Sequence, residues 1–174
     1  KKDIANCTRG EQFVDRLMLN EKRIDGIAVG LEKLIELKCP VGEVLEERTL
    51  YNGLLLRRVR VPLGVLGIIY EARPNVTADA IGLSVKSGNA VVLRGSKDAI
   101  CSNKAITSVI KEAIRGSGYN PEFIQLIEDT THEGATEFMR MNGVVDVLIP
   151  RGGAGLIRNA IENATIPVIE TGTG

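Results

Sequence analysis

The side chains of this 174-residue chain that could bind or react are concentrated in five short stretches. They are Glu71-Ala-Arg-Pro-Asn75, Arg94-Gly-Ser-Lys97, Asp129-Thr-Thr131, Pro150-Arg-Gly-Gly-Ala-Gly155 and Glu170-Thr-Gly172. Three carry arginine, and two carry glycine ahead of a helical pattern. In Pro150–Gly155, Gly152, Gly153 and Gly155 let backbone approach a ligand closely. A following helix would offer free N–H groups to a phosphate, with Arg151 or Arg158 as charge partner. The helix terminus alone contributes about 0.3–1 kcal/mol, so arginine contacts must supply the rest. The same glycines would equally serve a tight turn, and no G-x-G-x-x-G fingerprint occurs. Arg94-Gly95-Ser96-Lys97 reads either as a helix start capped by Ser96 or as a clamp on an adenosine ribose. Two cations at one strand end favour a 2′-phosphate. The residues by themselves reach a nucleotide- or phosphate-binding α/β domain and no further.

Composition narrows the field. Lys plus Arg number 22 and Asp plus Glu 22, so the net charge is zero, which argues against a nucleic-acid binder. No apolar run approaches the roughly 20 residues a membrane span needs, and Lys1-Lys2-Asp3 is not the start of a signal peptide. Cys7, Cys39 and Cys101 are odd in number and far apart, without a C-x-x-C, so neither a disulfide framework nor a metal site is expected. A reducing cytoplasm suits such a chain. His132, the single histidine, sits in what reads as a helix start and is expected to face solvent.

Two different patterns must position these loops. In residues 1–62, Asn20 caps a helix predicted over 21–37, where Ile24, Ile27, Ala28, Leu31, Leu34 and Ile35 recur at helical spacing. Pro40 ends it. Extended stretches at 44–51 and 54–61 flank Asn52-Gly53, the signal for a type I′ hairpin. Val59 and Val61 alternate with Arg58 and Arg60, which predicts one buried and one charged face. Residues 63–174 instead alternate apolar runs (63–70, 90–93, 123–127, 144–149, 166–169) with helical patterns (77–87, 98–115, 131–141, 155–164). Five strands separated by four helices predict a doubly wound α/β domain with a mostly parallel sheet. Thr130 and Glu133 have capping-box spacing, and Gly116-Ser117-Gly118 closes the second helix. The chain ends directly after a predicted strand, as part of a longer protein would.

Three segments carry a resemblance. Gly67-Ile-Ile-Tyr-Glu-Ala-Arg-Pro-Asn-Val-Thr77, Lys86-Ser-Gly-Asn-Ala-Val-Val-Leu-Arg-Gly95 and Asp146-Val-Leu-Ile-Pro-Arg-Gly-Gly-Ala-Gly155 closely resemble the gamma-glutamyl phosphate reductase family. That family, also called glutamate-5-semialdehyde dehydrogenase, lies within the aldehyde dehydrogenase superfamily. The likeness runs from about Asp3 to Gly174 and takes in Pro40-Val-Gly42, Asn163-Ala-Thr165 and Ile169-Glu-Thr-Gly172. It implies a variant Rossmann sheet that lacks the usual glycine fingerprint. It also implies the second step of proline synthesis: NADPH reduces L-glutamyl 5-phosphate to L-glutamate 5-semialdehyde and phosphate is released.

The implied roles can be placed by position. Arg94, Gly95, Ser96 and Lys97 match the segment that grips the adenosine ribose, and the charge of Arg94 and Lys97 favours NADP over NAD. Arg151, Gly152, Gly153 and Gly155 match the turn beside the pyrophosphate; Glu71, Ala72, Arg73 and Gly172 complete the implied cofactor contacts. Within Glu71–Asn75 an oxyanion donor is implied, with Asn75 matching by residue type and Arg73 by count. Glu170 falls where water-using superfamily members hold a general base, beside a merely structural reading of a strand-end carboxylate. The nucleophilic cysteine that the family's chemistry needs is expected beyond Gly174, since Cys7, Cys39 and Cys101 match no nucleophile position. The opening helices are also shorter than the family's. The expectation is therefore a fragment holding the first part of the NADP-binding domain, inactive alone. A non-catalytic nucleotide-binding or oligomerisation module of the same fold is the alternative. The resemblance further implies a homo-oligomer joined through the Asn52-Gly53 hairpin, and an association with glutamate 5-kinase.

Overall fold

The computed structural model describes residues 1–172. Its centre is a four-stranded parallel sheet in the order β5-β4-β3-β6, made of β3 (Val65–Tyr70), β4 (Ala90–Arg94), β5 (Ile124–Leu126) and β6 (Val147–Arg151). β3 pairs on both sides and is buried almost throughout, which is why it reads as a continuous apolar run without alternation. Its two faces feed separate cores. Leu66, Ile68 and Tyr70 pack with Ala80, Ile81, Val91 and Leu93, under α4 (Asn75–Lys86) and α5 (Ile100–Gly116). Ile69 packs with Ala135, Phe138, Met139, Leu148 and Ala160, under α6 (His132–Phe138) and α7 (Ala154–Asn163). Each fully buried Leu or Ile contributes about 1.5–3 kcal/mol. Helices on both faces of a parallel sheet make the architecture doubly wound α/β.

The segment at 166–169 is not a fifth full strand. It meets β6 through a single parallel bridge, Val168 to Leu148. The Leu148 N–H donates to the Pro167 carbonyl and the Ile169 N–H returns to the Leu148 carbonyl. Pro167 has no N–H to give, so the ladder stops there.

Ahead of the sheet lie α1 (Lys2–Ala5), α2 (Glu11–Leu17), α3 (Glu21–Glu36) and an antiparallel hairpin of β1 (Val44–Thr49) and β2 (Leu55–Val59). Asn20 caps α3 as expected, its side chain accepting from the Arg23 N–H at 2.9 Å. The hairpin departs from expectation twice. The Leu50 N–H donates to the Leu54 carbonyl, and only Gly53 has positive φ (+83°), so the loop is a three-residue connection and not a type I′ turn. Every residue of β1 and β2 is exposed, so neither face is buried within this chain. The capping box is also displaced by one residue. Thr131, not Thr130, accepts from the Gly134 N–H at 3.0 Å, while Asp129 accepts from the backbone and hydroxyl of Thr131.

The N-terminal arm is tied down by a long-range cap. Ala99, at the cap position of α5, has no side-chain acceptor. Asp3, 5% exposed, supplies one: its carboxylate accepts from Cys101 N–H (3.0 Å), Ser102 N–H (2.7 Å) and Ser102 Oγ (2.5 Å). It thus serves the free donors that a local cap would serve. Leu17, 2% exposed, then packs with Ala72 and Ala99, flanked by Ile4, Cys7 and Phe13.

Gly64 opens β3 at φ +117°, and a Cβ there would stand 2.1 Å from Asp146 Oδ2. That carboxylate oxygen accepts from the Val65 N–H at 2.8 Å. Gly64→Ala should therefore lose about 1–3 kcal/mol of stability through backbone strain and displacement of Asp146. Urea denaturation should show the lower midpoint.

Candidate functional site

Because β3, β4 and β6 are parallel and adjacent, their carboxyl ends lie along one edge. Arg94 pairs in register with Ile69, and Arg151 with Tyr70, so the two arginines flank the end of β3 from either side. Glu71 leaves β3 between them, its N–H donating to the Arg151 carbonyl at 3.2 Å. In open α/β sheets this edge is where ligands bind.

Three cavities open there. One of about 780 Å³ runs past Asn75 and Asp79 to Asp15, Lys22 and Arg23. A second, of about 680 Å³, is bordered by Glu71, Arg94, Ser96, Lys97, Thr131 and His132, with Arg9 and Phe13 on its far wall. A third, of about 330 Å³, is lined by Arg151, Gly152, Gly153, Thr171 and Gly172. Arg16 and Arg73 border all three.

The expected residues divide between ligand-facing and internal positions. Glu71 is exposed and borders the second and third cavities, but its carboxylate is engaged: its Oε1 accepts from the Gly153 N–H at 2.7 Å. The donor foreseen for a phosphate is thus held by the protein's own carboxylate. Gly152 is the consequence, since a Cβ there would fall 2.8 Å from Glu71. Arg94 Nη2 donates to the carbonyls of Thr130 (2.9 Å) and Thr131 (2.7 Å), fixing the loop before α6. Its Nε is buried without a partner, and burial pulls the guanidinium below its ordinary value, with Asp129 partly offsetting. Ser96 caps the turn after β4, accepting from the Asp98 N–H at 3.3 Å, yet still borders the second cavity beside exposed Lys97.

Gly95 lies inside the core, where a Cβ would meet Asn103 Nδ2 at 2.1 Å and the Tyr70 ring at 3.1 Å. It and exposed Gly155 line none of the three cavities, and neither does exposed Glu170. Ala72 is buried against Leu17 with one edge on the second cavity. Beneath the edge, Tyr70 bonds to Thr77 (2.8 Å) and Thr77 Oγ1 donates to Asn103 (3.0 Å). Burial pushes the Tyr70 hydroxyl up to about 12, so it stays protonated.

Asn75 begins α4, and its Nδ2 lies 3.4 Å from Asp79 Oδ2. Arg73 has no side-chain hydrogen bond or ion pair among the described residues. His132 is the exposed first residue of α6 and borders the second cavity. None of the cysteines lines a cavity, and a hydrogen bond to Asp3 raises the Cys101 thiol above its ordinary value, the wrong direction for a nucleophile. No group of three or more metal-ligating side chains occurs among the described residues, and no helix is long and apolar enough to cross a membrane.

Arg9, Phe13 and Arg16 escaped the reading of the sequence. Phe13 and Leu17, four apart, mark the inner side of a short helix, but nothing local places α2 against the sheet edge. Leu17 does that by packing with Ala72 and Ala99, while Asp3 ties the preceding α1 to a donor 98 residues away in the chain.

Comparison with known proteins decides the relationship. No family model matches the chain. Gamma-glutamyl phosphate reductase of Geobacillus sp. (strain WCH70) is 56% identical over 162 residues, 93% of this chain and 39% of that protein. The enzyme of that name from Clostridium botulinum (strain Eklund 17B / Type B) is 54% identical over 100% of the chain and 43% of its own length. The solved gamma-glutamyl phosphate reductase of Thermotoga maritima superposes with a TM-score of 0.95 at 45% identity, covering 99% of this chain and 42% of that one. The chain is homologous, end to end, to the gamma-glutamyl phosphate reductases. It spans about two fifths of the length of these relatives. A probable aldehyde dehydrogenase of Listeria monocytogenes, 21% identical with a TM-score of 0.69, shares the fold.

Asp79 carries a pH signature. Burial raises its carboxyl above the ordinary value, outweighing Asn75 and Arg151, which lower it. Its folded pKa thus exceeds the unfolded value of about 3.9, and folding takes up a proton between the two. The penalty is absent below the unfolded pKa and present once pH rises through the folded one. Asp79→Asn should therefore raise stability at pH 7 relative to pH 4. Urea midpoints at both pH values measure the change.

Proposed function

We propose that this chain, within a polypeptide of its relatives' length, forms the cofactor-binding edge of an NADP-dependent glutamate-5-semialdehyde dehydrogenase in proline biosynthesis. The enzyme reduces L-glutamyl 5-phosphate to L-glutamate 5-semialdehyde and releases phosphate. The end-to-end homology with the reductases carries this reading, and the arrangement of charges at the sheet edge supports it.

The residues present fit a nicotinamide dinucleotide. Arg94, whose Nε is buried without a partner, borders a cavity of about 680 Å³ together with Ser96 and Lys97, suiting a ribose and its 2′-phosphate. Arg151, Gly152, Gly153 and Gly172 would hold the pyrophosphate, with Glu71 yielding the Gly153 N–H or orienting the turn. A bound nicotinamide supplies hydride. Asn75 or Arg73 would donate to the carbonyl oxygen as negative charge develops there. The attacking thiolate comes from outside these residues, in keeping with the absence of all three cysteines from the cavities. We place this chemistry in the cytoplasm.

A polypeptide of full relative length should oxidise NADPH with stoichiometric phosphate release when given the acyl phosphate. Inactivity with both NADPH and NADH would overturn the reading. In that enzyme Lys97→Ala should weaken NADPH binding about tenfold relative to NADH, the loss of one charge-assisted contact. Fluorescence titration with each cofactor measures the ratio.

The exposed apolar residues of the hairpin, among them Val44, Leu55, Leu56 and Val59, support a homo-oligomer joined through β1 and β2. Leu55→Glu should shift the full-length protein toward monomer in sedimentation velocity. A wild type that sediments as a monomer removes that role.

A further inference from the structure

We propose that Arg16 and Arg73 together hold the phosphate group of an acyl phosphate, on the Asn75 side of the cleft. This deepens the functional reading above and rests on it.

Of the described residues, only these two border all three cavities. Their seats are fixed by the residues beside them in sequence. Leu17, next to Arg16, packs in one buried cluster with Ala72, next to Arg73. Asp3 and its three hydrogen bonds to the start of α5 hold the arm that carries Arg16. Lys22, Lys97 and Arg151 each border one cavity alone, and other neighbouring cations are already engaged. Arg9 meets Asp98 at 3.6 Å and lies over the Phe13 ring, Arg23 is bidentate to Asp15, and Arg94 donates to two carbonyls. Arg16 and Arg73 have no hydrogen bond or ion pair from their side chains among the described residues.

Two guanidiniums that border the same cavities with no ion pair of their own favour an anion in the space between them. A phosphate dianion suits two forks, each giving parallel N–H donors. The source of that phosphate follows from the lining. Asn75, the oxyanion candidate, borders the first cavity, whereas Ser96 and Lys97 border only the second. Arg73 lies two residues before Asn75 in the same loop. Asn75, Arg73 and Arg16 all border the first cavity, so a ligand whose carbonyl reaches Asn75 carries its phosphate into the space these arginines line. Lys97 and Arg151, with no ion pair among the described residues, remain for the cofactor phosphates.

The test uses the full-length enzyme and the variants Arg16→Ala, Arg73→Ala and Arg16→Lys. Each alanine variant should raise KM for the acyl phosphate and Ki for inorganic phosphate about tenfold, and Arg16→Ala, at a position with no cofactor role, should keep Kd for NADPH within about twofold of wild type. Arg16→Lys should recover part of the loss, since it keeps the charge and only the fork is gone. Unchanged KM and Ki, or an equal rise in Kd for NADPH in Arg16→Ala, overturns the proposal. An unaltered enzyme with no turnover would instead defeat the functional reading. Calorimetric titration with inorganic phosphate would still decide this site: binding lost in Arg16→Ala supports it, and equal binding in both proteins overturns it.

Discussion

The parallel pairing of β3 with β4 on one side and β6 on the other is the constraint from which the rest of the molecule follows. A strand hydrogen-bonded on both edges and covered on both faces has no solvated side, so each of its side chains must find a core. Leu66, Ile68 and Tyr70 find one beneath α4 and α5, and Ile69 finds the other beneath α6 and α7. The same pairing aligns three strand ends at one edge. Arginines distant in sequence, Arg94 and Arg151, thereby come to flank a single loop, Glu71–Asn75.

Within that edge, charge is arranged by local partners more than by net count. Glu71 occupies the Gly153 N–H at the start of α7, where the partial positive charge of the helix favours an anion. Gly152 and Glu71 therefore form one unit, because no larger residue could sit at 152 while the carboxylate stays in place. Arg94 has a double part: one nitrogen pins the loop ahead of α6 while another remains buried and unpartnered. Such a residue shapes the cavity wall while one of its donors stays buried and unused.

Much of the fold could be read directly. Val- and Ile-rich runs separated by helical periods announced a doubly wound sheet, and Asn20 announced the start of α3. The misreadings have physical causes. Pro167 removes a ladder donor from an otherwise strand-like run. Two adjacent threonines offer equal caps, and Asp129 selects Thr131 by binding its backbone and hydroxyl. The alternation at residues 58–61 predicts a buried face, but every residue of β2 is exposed, because apolar alternation carries no information on whether a neighbour within the same chain packs against it.

The candidate site divides along the same line. Sequence by itself determined the loops at the strand ends, because periodicity locates strands and the chain direction of a parallel sheet locates their carboxyl ends. That Cys7, Cys39 and Cys101 match no nucleophile position was implied by the resemblance alone, and in the structure none of them lines the three cavities. Tertiary structure alone decided which loop residues are free to meet a ligand, turning Gly95 into the core and binding the Glu71 carboxylate to the Gly153 N–H. It alone brought Arg9, Phe13 and Arg16 to the sheet edge. The reason is that a cap or a counter-charge acts over a few ångströms of space with no regard for separation along the chain. Asp3 can therefore serve a helix that begins some hundred residues later, and no local pattern records the fact.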